Sequence, residues 1–182
     1  TGTAFPFMDV AESRWSYPYI KELYDAGVVS GTSATTFSPA ANVTRAQFVT
    51  MLAGLAGADV SNCPATPFRD VPEGAWYAPY VNWALANGIV SGTSAVTFSP
   101  DASITRQDMA VMLYSYTQRF QVHLQQQQPV KPFTDAGSIA AYAQIAVQTL
   151  QRAGVISGMP DGSFQPYGTA TREQACTMLC ML

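Results

Sequence analysis

The chain has few charged residues, no block of lysine or arginine, and no long apolar run. Charged side chains are 12% of its 182 residues and the formal net charge is −3, so nucleic acid and anionic membrane surfaces are poor candidate partners. No apolar run approaches the roughly 20 residues that a membrane-spanning helix needs. The composition therefore predicts neither nucleic-acid binding nor membrane insertion.

Cysteine and histidine are also scarce, with three and one copies respectively. An odd number of cysteines gives no disulfide framework. Cys176 and Cys180 lie four positions apart on a predicted helix, which is typical of small hydrophobic residues packed on one face. Cys63 falls in a predicted linker, and His123 stands beside the glutamine run 125–128, as a solvated linker residue would. The sequence thus predicts no metal site, no cofactor and no histidine-based catalysis.

Hydrophobic residues, at 48%, are abundant enough for a folded core. Because the chain begins at Thr1 rather than at methionine, we expect it to be a processed or excised piece of a longer product.

Three related segments make up the chain, opened by "FMDV" (7–10), "FRDV" (68–71) and "FTDA" (133–136). Phe7 and Phe68 are 61 positions apart, and so are the later arginines of the same two copies. The third copy carries one inserted residue. Linkers rich in small, polar or proline residues separate the copies. We predict three repeats, spanning 1–57, 62–120 and 129–182.

Each copy carries two helical patterns joined by a loop. An aromatic-rich amphipathic segment ends at a glycine of the kind found just past helix C-termini. A Ser-Gly pair and a loop ending in Phe-x-Pro follow, and a second apolar pattern starts at a Thr-Arg pair. Two helices and a loop bury too little apolar surface alone, so we expect the three copies to share one core.

An arginine at the start of each second helix is unexpected. Thr44 and Gln47 form a capping-box pattern, which places Arg45 in the first turn, where the helix dipole disfavours a cation by about 0.3–1 kcal/mol. Arg106 and Arg172 repeat this placement. One interpretation is an anion site, since a helix N-terminus plus an arginine binds a carboxylate. The other is a salt bridge to an aspartate of a neighbouring copy (Asp9, Asp70 or Asp135), and the two are compatible.

The tryptophans of the first segments also admit two interpretations. Trp15 and Trp76 can belong to the core, which is the commoner fate of such residues. Alternatively they stand at a groove edge, where an aromatic face stacks on a sugar ring and short polar groups meet its hydroxyls.

The pattern FxDV…W…G(V/I)VSGT…FSP…(V/I)TRxx, repeated in tandem, resembles the S-layer homology (SLH) module. The resemblance implies a mainly all-α fold in which three two-helix repeats form a pseudo-threefold trimer around a central helical bundle. It also implies ligand grooves between adjacent copies and non-covalent anchoring of exported proteins to the secondary cell-wall polysaccharide of Gram-positive-type bacteria. In this family the ligand often carries a pyruvate ketal on a terminal N-acetylmannosamine, hence a carboxylate.

Carried over to this sequence, the family motif gives eleven candidate ligand-binding residues and no catalytic or metal-binding ones. They are Arg45, Arg106, Arg172, Asp9, Asp70, Asp135, Trp15, Trp76, Gly31, Gly92 and Gly158. Copy three departs from the motif, because "DAGSIAAY" replaces "DVPEGAWY" and leaves Ala141 or Tyr142 where tryptophan would stand. If the groove of copy three needs this aromatic residue, we expect substitution of Arg172 to affect binding less than substitution of Arg45 or Arg106. The acidic residue that follows Thr-Arg in the family appears as Gln47, Asp108 and Gln174.

The leading hypothesis is thus an extracellular, non-catalytic cell-wall anchor that binds an anionic, pyruvylated glycan. An enzyme acting on wall glycan would need paired carboxylates at a cleft, and the acidic residues outside the repeat pattern supply no such pair. The remaining alternative is a structural module that assembles with neighbouring S-layer subunits through protein contacts, without specific glycan binding.

Overall fold

The computed structural model describes residues 4–182, so the first three residues of predicted copy one lie outside it. The described chain is helical, with isolated β-bridges and no strand, which confirms the all-α class. Two short 3-10 turns, Ala136–Ser138 and Ala141–Ala143, precede the fifth helix. The α-helices are α1 (Tyr17–Asp25), α2 (Arg45–Ala56), α3 (Ala78–Ala86), α4 (Arg106–Arg119), α5 (Gln144–Arg152) and α6 (Arg172–Cys180).

The second helix of each copy begins at its predicted threonine cap. In α2 the Thr44 side chain accepts a hydrogen bond from the Gln47 N–H, and the Gln47 amide accepts one from the Thr44 N–H, completing the capping box. Thr171 and Gln174 repeat this arrangement in α6. In α4 the Thr105 side chain accepts from the Asp108 N–H, but the Asp108 carboxylate points elsewhere, as described below.

Helices pair between copies rather than within them. The second helix of each copy packs against the first helix of the next, as α2 with α3 and α4 with α5, and α6 packs against α1. Backbone hydrogen bonds follow the same cycle, because the Val43 carbonyl accepts from the Ile104 N–H and the Val43 N–H donates to the Ala170 carbonyl. The contacts therefore close a ring of three copies; exact threefold pseudosymmetry remains a prediction.

A carboxylate stabilises the closure of copy three onto copy one. Glu173, in the first turn of α6, accepts two hydrogen bonds from the Arg14 guanidinium, at 2.8 and 3.0 Å, and one from the Ser16 hydroxyl at 2.7 Å. Glu173 is buried, and it sits at a helix N-terminus, where the dipole favours an anion. At the junction of copies two and three, Gln107 plays a similar part by accepting the Ala140 N–H at 3.0 Å.

One hydrophobic cluster draws on all three copies, as predicted. The phenylalanines of the Phe-x-Pro motifs (Phe37, Phe98, Phe164) are almost completely buried in it. Cys176 also belongs to the cluster, and burial raises the pKa of its thiol to about 12.

The core interpretation of Trp15 and Trp76 is wrong. Their side chains are 55% and 58% exposed, because each stands two residues before its helix begins and lies outside the buried stripe. That stripe is formed instead by residues such as Ile20 and Leu23.

Candidate ligand grooves at the arginine-bearing helix N-termini

Each of the three arginines reaches across to the loop of a neighbouring copy. Arg172 Nε donates to the Phe37 carbonyl at 2.9 Å, and its guanidinium carbon lies 4.5 Å from the centroid of the Phe37 ring. Arg45 contacts Phe98 in the same way, at 2.8 and 4.9 Å. Arg106 contacts Phe164 at 2.8 and 5.1 Å. All three arginines are buried.

The aspartates of the opening motif bind backbone rather than arginine. The Asp9 carboxylate accepts the N–H groups of Phe37 and Ser38, at 2.9 and 2.8 Å. Ser38 has a left-handed backbone with φ of 58°, which non-glycine residues adopt rarely. The carboxylate therefore secures a strained turn whose preceding carbonyl, that of Phe37, receives Arg172.

The other two copies repeat this pair of hydrogen bonds from loop N–H groups to an aspartate, which we call the aspartate clamp. Asp70 accepts the N–H groups of Phe98 and Ser99, both at 2.8 Å, and Asp135 accepts those of Phe164 and Gln165. Within residues 4–182 no ion pair joins any of these aspartates to Arg45, Arg106 or Arg172. The predicted salt bridge is thus wrong, because both carboxylate oxygens are engaged by the loop.

The glycines of the Ser-Gly turns allow the loop to pack closely. A Cβ atom at Gly31 would lie 2.4 Å from both the Phe7 ring and a loop carbonyl, closer than any side chain tolerates. At Gly92 and Gly158 the nearest ring atoms would be 2.6 and 2.5 Å away, and φ is also positive. Any side chain at these positions would push the loop away from the phenylalanine beneath it.

One groove, called groove one, combines residues of all three copies. Copy one supplies Ser30, Gly31, Gln47 and Thr50, copy two supplies Trp76, and copy three supplies Arg172. The cavity volume is about 350 Å³. Arg172 donates a second hydrogen bond, from Nη2 to the Ser30 carbonyl at 3.0 Å. The expectation that Arg172 serves the groove lacking tryptophan is therefore wrong, since it shares this groove with Trp76.

The equivalent groove two is lined by Arg45 of copy one and by residues of copy two, and it has a volume of about 140 Å³. Here Arg45 pairs with Asp108, whose Oδ2 lies 3.0 Å from Arg45 Nη1. The Tyr142 hydroxyl, in the position of the missing tryptophan, donates to Asp108 Oδ1 at 2.6 Å. Partial burial and this hydrogen bond raise the pKa of Tyr142 to about 12.

By analogy with grooves one and two, we expect a groove three with Arg106 as its buried arginine and Trp15 as the corresponding aromatic residue. Trp15 stands between Arg14 and Ser16, which both bind Glu173 in the first turn of α6. Those bonds hold the segment that carries the exposed Trp15 at the first turn of α6.

The three arginines differ in their electrostatic partners. Burial lowers the pKa of each guanidinium. Within residues 4–182, Arg45 has a carboxylate partner, but no carboxylate lies within 4 Å of Arg106 or Arg172. A buried cation without a counter-ion is costly. The three Thr-Arg motifs are alike, so they do not predict this difference between the arginines. The one sequence feature that indicates it is Asp108, a shorter acidic residue at the position where the other copies have Gln47 and Gln174.

In the described part of the chain, no three His, Cys, Asp or Glu side chains are grouped closely enough to ligate a metal ion. None of its helices combines the length and the apolar character that crossing a bilayer requires.

The S-layer homology domain matches residues 6–49, 67–110 and 132–176, one match within each predicted repeat, and the chain belongs to this family of cell-surface modules. It is 40% identical over 179 residues to an endoglucanase of Bacillus sp. (strain KSM-635), covering 98% of this chain and 19% of that protein. It is 28% identical over 158 residues to a cellulosome-anchoring protein of Acetivibrio thermocellus, covering 85% of this chain and 35% of that one. An S-layer protein of Bacillus thuringiensis subsp. finitimus is 26% identical over 179 residues, covering 98% and 21%. The chain therefore corresponds to a minor part of each of these relatives.

Proposed function

We propose that the chain is a non-covalent cell-wall anchor that binds an anionic secondary cell-wall polysaccharide in the grooves between its copies. The observation that carries the proposal is that two buried arginines, Arg106 and Arg172, have no carboxylate within 4 Å among residues 4–182. Each lies at a helix N-terminus, where backbone N–H groups and the dipole also favour an anion. A ligand carboxylate would supply the missing counter-ion.

Groove one supports a sugar that carries such a carboxylate, of the pyruvylated N-acetylmannosamine type. Its volume of about 350 Å³ falls in the range, roughly 300–1,000 Å³, of small-molecule sites. Arg172 provides the cation, and the half-exposed Trp76 provides an aromatic face for a sugar ring. Gln47 and Thr50 provide polar side chains for hydroxyl groups.

We assign the aspartates and glycines of the motif a supporting role. Asp9, Asp70 and Asp135 fix the turns whose carbonyls receive the arginines, and Gly31, Gly92 and Gly158 let those turns pack against phenylalanine. They would therefore affect binding chiefly by positioning the arginines.

The same geometry favours binding over catalysis. Glycoside hydrolysis needs two carboxylates facing a cleft, and among the described residues lining grooves one and two Asp108 is the single carboxylate. Any activity of a parent protein would then reside in regions beyond this chain, with the module supplying attachment.

Binding to purified wall polysaccharide, before and after chemical removal of its pyruvyl groups, tests the proposal. We expect binding to the native polymer and its loss from the treated one. Arg172→Ala should weaken groove-one affinity about 10- to 100-fold, because a hydrogen bond to a charged group contributes roughly 1.5–3 kcal/mol. Arg69→Ala, which removes an exposed arginine, is the matched control.

Equal binding to the native and treated polymers would contradict the proposal. Association with purified S-layer subunits in the absence of any glycan binding would favour the assembly function instead. A release of reducing sugar from the polymer would favour an enzyme.

A further inference from the structure

Groove two differs from the others at one position in the first turn of its helix. Gln47 and Gln174 complete capping boxes on α2 and α6. The third residue at this position is Asp108, whose side chain is shorter. Its carboxylate extends instead to Arg45 at 3.0 Å.

The Asp108 carboxylate meets Arg45 on the groove side, where a ligand carboxylate would meet Arg172 in groove one. Its other oxygen accepts the Tyr142 hydroxyl at 2.6 Å, so the aromatic residue of this groove is hydrogen-bonded to the same carboxylate. The volume is correspondingly smaller, about 140 Å³ against 350 Å³.

We propose that Asp108 acts as a built-in substitute for the ligand carboxylate and closes groove two to anionic glycan. An incoming carboxylate would have to displace an ion pair in which Arg45 is 5% exposed, and it would meet the negative charge of Asp108. The chain then binds such a ligand through grooves one and three, with a stoichiometry of two rather than three. This inference rests on the proposed function, because it states which of the proposed grooves are open.

A reciprocal exchange of residues at this position tests the inference. The probe is a pyruvylated N-acetylmannosamine glycoside, titrated calorimetrically into the full chain. Asp108→Gln restores the capping residue of the other copies and frees Arg45, so the stoichiometry should rise from two to three. Gln47→Asp places a carboxylate facing Arg172 in groove one, so the stoichiometry should fall from two to one.

Three sites in the parent chain, or an unchanged stoichiometry in Asp108→Gln, would overturn the inference while leaving glycan binding intact. Absence of binding by every variant would instead refute the proposed function.

A second measurement needs no glycan. Asp108→Asn should lower the melting temperature in the parent chain but change it little in an Arg45→Met background, because the ion pair is already absent there. Equal shifts in both backgrounds would show that Arg45 and Asp108 are not coupled, and groove two would then not be closed by this pair.

Discussion

The aspartate clamp fixes the turn whose carbonyl accepts a hydrogen bond from each arginine. Asp70→Ala removes this clamp from one copy only. Asp70 is half-buried and accepts the Phe98 and Ser99 N–H groups, both at 2.8 Å. Because Asp70 serves the loop that receives Arg45, in the groove proposed to be closed, the substitution should act on stability and leave the glycan stoichiometry unchanged.

The size of the effect follows from these two bonds. Hydrogen bonds to a charged group contribute roughly 1.5–3 kcal/mol each. Water can reach the half-buried Ser99 N–H after substitution, so we expect a net loss of about 2–4 kcal/mol. For a chain of this length each kcal/mol lowers the melting temperature by roughly 2–4 °C, which gives a fall of roughly 4–16 °C. Asp70→Asn keeps one acceptor oxygen and should lose about half as much.

Thermal unfolding followed by circular dichroism measures this loss. Asp101→Ala is the control, because Asp101 is exposed in the same copy and among residues 4–182 makes no side-chain hydrogen bond. Its melting temperature should stay within about 1–2 °C of the parent, as for most surface substitutions. If Asp70→Ala and Asp101→Ala have the same melting temperature, the clamp does not stabilise the turn, and it does not position the arginine.

Three further predictions concern the ring and its loops. The hydrogen bond from Arg14 is the main reason that the pKa of Glu173 lies below its ordinary 4.5, so the stabilisation by Glu173 is present above about pH 4.5 and is lost as the pH falls through the lower pKa of the folded state. Glu173→Gln should therefore reduce the fall of the melting temperature at acid pH. An unchanged fall would refute this prediction. Gly92→Ala should lower the free energy of unfolding in urea by about 3–5 kcal/mol, because residue 92 has a positive φ and its Cβ would lie 2.6 Å from a phenylalanine ring. Gly88 also has a positive φ but has open space around it, so Gly88→Ala should lower the free energy of unfolding by about 1–2 kcal/mol. Residues 1–121 alone should lose the cooperative melt, since α1 and α4 lose their partners α6 and α5; a melt close to that of the full chain would contradict this.

Several features of the fold could be predicted from the sequence because they depend on residues a few positions apart. The threonine caps of α2, α4 and α6 and the glycines that end the first helices act within one helical turn. The repeat spacing predicted three such units, and their apolar stripes predicted that the units share one core. The phenylalanines of the Phe-x-Pro motifs are buried there accordingly.

The partners of the candidate site residues could not be predicted in this way. Arg172 meets the Ser30 carbonyl 142 positions away, and Trp76 lines the same groove from a third copy. Such groups come together only when the apolar faces of distant helices pack, here between copies instead of within them.

The sequence by itself determined that an arginine begins three helices; the tertiary structure decided what each arginine contacts. A salt bridge of Asp9 and its equivalents to arginine was one of two interpretations of the sequence. In the structure each of these carboxylates instead accepts backbone N–H groups of its own loop, because the turn folds over the carboxylate. Asp108 stands at the position of the capping residues Gln47 and Gln174, yet packing brings Arg45 and Tyr142 within its reach. Local stereochemistry fixes where a helix begins, whereas the choice among charged partners depends on which groups the packed chain places within about 3 Å of each other.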